Sequence, residues 1–191
     1  MRLLKVDIFH ATDAKNVDSI VENGFFPKKN PNHWLGNGVY FFVDETLAEW
    51  WTTNPSKKFG NKISSPAIIQ CILDLPDDSI LDLRKLTDYR YCFDMFNYFC
   101  NHWFFPYAKT EQIPVNRLRC LFFDWMFDIN EYSAIIGTFL SSDQPYYGTM
   151  RRLGSRFETL NLSYSEVQVC VQETRQNLII DKQVKLLDNT N

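Results

Sequence analysis

The run Ala67 to Leu73, A-I-I-Q-C-I-L, constrains the fold more than any other feature of the chain. It is near-continuously apolar, rich in β-branched residues, and bounded by Pro66 and Asp74. It is too short for a buried helix and reads as a strand buried on both faces. Such a strand needs hydrogen-bonding neighbours and a layer packed against each face. Ala134 to Leu140, A-I-I-G-T-F-L, reads the same way.

The remaining segments supply those neighbours and layers. Leu4, Val6 and Ile8 alternate with Lys5 and Asp7, the period of a strand. Thr12 or Asp13 is placed to cap a helix with Ala14, Val17, Ile20 and Val21 on its apolar side and Gly24 as its stop. Phe25 to Leu35 is polar and reads as a loop. Gly38 to Val43 is a strand, and Asp44 caps a short helix containing Leu47, Trp50 and Trp51 that stops at Asn54-Pro55. Ser79 to Leu83 is a further short strand. Tyr89, Phe93, Phe96, Cys100 and Trp103 recur at helical spacing, as do Leu118, Leu121, Phe122, Trp125 and Met126, with Asn116 as the cap of that second helix. In Tyr164 to Val171, the residues Val167, Val169 and Val171 share one face, and Glu166, Gln168 and Cys170 point to the other. Leu178 to Ile180 and Val184 to Leu187 read as terminal strands. The whole, 191 residues, is one α+β domain with substantial antiparallel sheet.

Charge and cysteines narrow the function classes. A net charge of −3 gives no bulk attraction for polyanions. The five cysteines, Cys71, Cys92, Cys100, Cys120 and Cys170, are odd in number and form no C-x-x-C pair. That argues against a disulfide framework and a zinc site, and for thiols in a reducing cytosol. No apolar window reaches membrane-spanning length, and the first residues are too charged for a secretion signal. The expectation is a cytoplasmic protein with no membrane or metal partner.

His10 ends the first strand in F-H-A-T. About 30 residues later Tyr40 lies in G-N-G-V-Y-F-F, and Glu166 opens the late valine strand in S-E-V-Q-V-C-V. Together with I-V-E-N-G-F at Ile20 to Phe25, this order resembles the ADP-ribosyltransferase family, in the branch with a histidine, tyrosine and glutamate triad shared by diphtheria-type toxins and poly(ADP-ribose) polymerases. The likeness is strong over the first 45 or so residues and about 10 near the end. It implies a split β-sandwich, two packed and mostly antiparallel sheets with flanking helices. It implies NAD as substrate, no metal, and catalytic residues at Glu166, His10 and Tyr40. His10, Ala11, Thr12, Gly38 and Tyr40 would form the cofactor site. Position 11 is alanine where the family has glycine.

On that resemblance the reaction breaks the bond between nicotinamide and ribose. Positive charge grows on the ribose, and a fixed carboxylate, Glu166, stabilises it. Tyr40 stacks on the nicotinamide, His10 bonds a ribose hydroxyl, and the backbone of Ala11 holds the amide. Arginine-modifying relatives carry Glu or Gln two residues before the catalytic glutamate; here Tyr164 stands there, which disfavours arginine as acceptor. The preceding loop carries Arg151, Arg152 and Arg156 with Tyr146, Tyr147 and Phe157. Guanidinium groups bind phosphates and aromatic rings stack on bases, so this loop and Tyr164 point to a nucleic-acid acceptor, with protein as the other option. The resemblance thus implies a mono-ADP-ribosyltransferase, a toxin or defence effector matched by an antitoxin or inhibitor. Two rivals share its residues: an NAD glycohydrolase, and a silent module binding ADP-ribose or a peptide.

Overall fold

The computed structural model of the chain describes residues 3–53, 63–104, 113–139 and 165–187. These residues form an α+β fold around a seven-stranded mixed sheet. The strands are β1 (Leu3–Asp13), β2 (Val39–Phe42), β3 (Pro66–Pro76), β4 (Ile80–Asp82), β5 (Ala134–Phe139), β6 (Glu166–Val171) and β7 (Ile179–Leu186). Their order across the sheet is β4-β5-β6-β2-β1-β3-β7. The β4–β5 pair is parallel, and the other five are antiparallel. The helices are α1 (Val17–Asn23), α2 (Glu45–Thr53), α3 (Leu86–Phe99) and α4 (Val115–Asn130).

The apolar run at 67–73 lies in β3, second from the β7 edge. Ala67, Ile68, Ile69, Cys71 and Leu73 are each at most 1% exposed. One face of the sheet carries Ile8, Val39, Phe41, Ile69, Val169 and Val171, covered by Ile20 of α1 and by Phe25. The other face carries two separate clusters. Cys170, Ile135 and Leu81 meet α3 and α4, with Tyr40 against them. Phe9, Phe42 and Ile68 meet Leu47 and Ala48 of α2. Alternation along β6 follows the expectation: the valines face one core and Cys170 the other.

Local signals set most boundaries. β1 continues to Asp13, whose carboxylate accepts from the backbone N–H groups of Lys15 and Ser64 and caps a 3₁₀ turn at 14–16 ahead of α1. Gly24, at φ +87°, ends α1 and donates its N–H to the Ile20 carbonyl. Asp44 caps α2 by accepting from Thr46. Two expectations are corrected. The cap of α4 is Pro114, extended at φ −56°, ψ 137°, so Asn116 already lies inside the helix. The two terminal strands are one, β7; Asp181, at φ +53°, and a register shift opposite Gln70 and Ile72 break its apolar alternation without ending it.

The sheet is continuous, but its pairing is uneven in the middle. β1 and β3 pair along eleven residues, Leu3↔Pro76 to Asp13↔Pro66. β1 and β2 pair only at Phe9↔Phe42, although β1 runs on to Asp13. Beyond that point the edge of β1 facing β2 is in no ladder with it.

Gly38 enters β2 where space is least. A Cβ there would lie 2.5 Å from the Val171 carbonyl oxygen and 2.7 Å from Cys170 Sγ. The first obstacle is backbone of the neighbouring strand and cannot swing aside. Gly38→Ala is therefore expected to destabilise the fold by about 1–3 kcal/mol, read as a lower urea midpoint at unchanged slope.

Candidate functional site

The divergence between β1 and β2 is where the histidine enters. His10 Nδ1 lies 2.9 Å from the Tyr40 carbonyl oxygen. A carbonyl only accepts, so Nδ1 carries the hydrogen and donates, which leaves Nε2 as an acceptor in the neutral ring. Burial pulls the His10 pKa below its ordinary value, with the bond to Tyr40 opposing. The imidazole packs edge-on against Phe25 and Phe41, centroids 4.9 Å and 5.6 Å away. Thr12 is buried nearby in sequence and its hydroxyl accepts from Asn16 Nδ2. Ala11 packs into the α2 cluster and takes an ordinary negative φ.

Tyr40 faces the other way. Its phenol donates to the Gly36 carbonyl and accepts from the Leu35 N–H, both at 2.7 Å. Its ring lies 5.2 Å from that of His33. Burial drives the phenol pKa far up, so it stays protonated.

Glu166 opens β6 on the same face as Tyr40. It is 6% exposed and pairs in register with Phe139 of β5. Gln168 Nε2 donates to its Oε1. Among the described residues no cation pairs with it, and burial raises its pKa while the Gln168 bond opposes. Gln168 in turn faces Phe42 and Gly137. By register, Gln168 lies beside Phe42 of the α2 cluster, and Glu166 beside Phe139, which packs on the α3–α4 cluster.

The three motif strands are adjacent in the centre of the sheet, in the order β6, β2, β1. Their side chains do not converge on one point. Tyr40 is opposite Cys170, four residues or about 13 Å along β6 from Glu166. His10 meets the Phe41 face of β2, the reverse of the Tyr40 face. Tyr146, Tyr147, Arg151, Arg152, Arg156, Phe157 and Tyr164 lie outside the described residues.

The loop before β2 holds residues that sequence reasoning passed over. Asp124 of α4 accepts from the Asn37 N–H at 2.5 Å and from Asn37 Nδ2 at 2.7 Å, which fastens the Gly36–Gly38 turn to the helix. Gly36 is at φ +82°, and a Cβ on it would lie 2.8 Å from Asp124 Oδ1. Trp34 packs at 4.4 Å on Phe139, the register partner of Glu166, and the Arg119 guanidinium sits 5.2 Å over the Trp34 ring. The only sequence hint of this group was a Trp-Leu pair at the end of a polar loop.

Comparison with known proteins adds one relative. Over 120 residues, 62% of this chain, it is 30% identical to the uncharacterized protein MJ0359 of Methanocaldococcus jannaschii, and the match spans 52% of that protein. The chain thus covers about half the length of the curated relative it matches. No family model matches the chain, and no solved structure matches it significantly. Among the described residues no cluster of His, Cys, Asp and Glu is arranged to hold a metal ion, and no helix is long and apolar enough to cross a membrane. The five cysteines stand free.

Two outcomes follow from this geometry. Asp124→Ala leaves the Asn37 N–H without its carboxylate, and is expected to cost about 2–3 kcal/mol by denaturant titration. Glu166→Gln is expected to stabilise. The folded state holds a proton on Glu166 more tightly than the unfolded chain does, so stability falls as pH rises from the unfolded pKa through the raised folded one. At pH 7.5 the amide removes that cost, about 1–3 kcal/mol. The gain over wild type shrinks as pH drops through the same window, which thermal melts at pH 4.5 and 7.5 would show.

Proposed function

We propose that the chain is a mono-ADP-ribosyltransferase that cleaves NAD and passes ADP-ribose to a macromolecular acceptor. The observation that carries this reading is Glu166. It is a buried carboxylate, unpaired by any cation among the described residues, on the strand next to the G-N-G-V-Y-F-F strand. A buried carboxylate with no cation beside it and a raised pKa is a candidate functional group. The narrow β1–β2 junction, paired at Phe9↔Phe42, supports the finer architecture proposed here, a split β-sandwich with β1-β3-β7 and β4-β5-β6-β2 as its halves.

In the reaction the C1′–N bond of NAD breaks and nicotinamide leaves with the bonding electrons. The Glu166 carboxylate faces the cationic ribose and accepts a hydrogen bond from a sugar hydroxyl. The acceptor oxygen or nitrogen attacks C1′ and gives up a proton, for which Glu166 is the nearest base in this reading. His10, on the opposite face of the sheet from Glu166 and Tyr40, makes no contact with that ribose in this reading; its part is to hold the Tyr40 carbonyl and with it the β1–β2 junction. The edge of β1 at Ala11, freed from β2, offers backbone groups to the nicotinamide amide. Tyr40, its hydroxyl committed to Leu35 and Gly36, serves through its ring as a wall of the site. The acceptor reading, nucleic acid before protein, still rests on the Arg151–Arg156 loop.

Labelled NAD and a cell lysate test it. Wild type is expected to label macromolecules, and Glu166→Gln to do so about 10²–10³-fold more slowly. Nuclease or protease sensitivity of the label identifies the acceptor. Free ADP-ribose without macromolecular label means hydrolysis instead. NAD left intact by wild type, or equal rates in both proteins, overturns the proposal.

A further inference from the structure

The face that carries Glu166 also carries a cation with no counter-charge among the described residues. Arg119 projects from α4 over Trp34. Its Nε is buried without a hydrogen-bond partner, and among the described residues no carboxylate pairs with it. Burial lowers its pKa, the mark of a guanidinium partly removed from water. A second orphan lies beside it. His33 Nδ1 is also buried without a partner, while the same ring shares a hydrogen bond with the Asn37 side chain.

The two residues are held together by backbone and packing. His33 and Trp34 are adjacent. The His33 N–H donates to the Asn30 carbonyl, and the Cys120 thiol, next to Arg119 on α4, donates to that same carbonyl. Trp34 then rests on Phe139, beside Glu166. A continuous line of contact therefore runs from the carboxylate to the guanidinium. One end is suited to a sugar cation and the other to an anion.

Stacking on Trp34 occupies the face of the guanidinium but not its N–H edge. The group that satisfies this edge is an anion with several acceptor oxygens. We propose that Arg119 binds a phosphate of the dinucleotide substrate. This rests on the NAD reading above, but it makes a separate claim about binding. It places the diphosphate against α4 and the loop at His33–Leu35, and the reacting ribose at the start of β6.

Binding of ADP-ribose and of inorganic pyrophosphate, followed by calorimetry and by melting temperature, tests the assignment without turnover. Wild type is expected to bind both, and Arg119→Met to bind each roughly 10- to 100-fold more weakly. Arg119→Lys, which keeps the charge and loses the fork, falls between. Phenylglyoxal modification of Arg119 in the wild-type protein, read by mass spectrometry, is expected to be slowed by either ligand. This readout holds even where a variant fails to fold. Equal affinity of Arg119→Met and wild type, binding of neither ligand to wild type, or modification unaffected by ligand overturns the phosphate site. Arginine-dependent binding without any NAD cleavage leaves this site standing and removes the transferase.

Discussion

The hydrogen bond from His10 to the Tyr40 carbonyl marks the constraint on which the rest of the structure depends. β1 must pair with β3 along its whole length, yet it must leave β2 after Phe9. A backbone carbonyl freed inside a sheet needs a donor. An imidazole is the right length to reach across a widening gap, and burial keeps it neutral. The same contact fixes its tautomer and turns its second nitrogen into an acceptor. A leucine here would fill the space and leave the carbonyl unsatisfied. The histidine is thus explained by the fold, without any ligand.

Glu166 presents the opposite balance. Nothing in the packing asks for a carboxylate at the start of β6. Its register partner on β5, Phe139, is apolar, and its one described hydrogen bond comes from Gln168. Stability and site therefore pull in different directions at this residue, which is the usual physical mark of a functional position.

The sheet was legible in the sequence because its strands obey short-range rules. The run at 67–73, the alternation of Leu4, Val6 and Ile8, and the valine face of β6 each needed only neighbouring residues. Caps were nearly as clear: Asp13, Gly24 and Asp44 act where their side chains and conformations suit. Two local rules misled. Asn116 is a better capping residue than Pro114, but proline's fixed φ already sets the turn into α4. Asp181 looks like a break between strands, yet a single left-handed residue lets β7 continue as a bulge. What was not legible is long-range. Asn37 and Asp124 are 87 residues apart, and nothing near either names the other. His33, Trp34 and Arg119 come together through the docking of α4 on a loop, a contact with no periodic signature.

That docking also explains why the glycines flank Asn37. The turn must present its N–H to a carboxylate on α4, which sets φ at Gly36, and must then let β2 approach β6, which leaves no room at Gly38. Tyr40 closes the same loop through its hydroxyl. The motif G-N-G-V-Y is therefore a brace before it is a binding sequence. It holds the loop that carries His33 and Trp34 to the helix that carries Arg119, and β2 to the strand that carries Glu166. A ligand spanning the two would feel any slack in this turn as a change in the distance between its charged ends. The residues that build the turn thus bear on binding even where none of them touches the ligand.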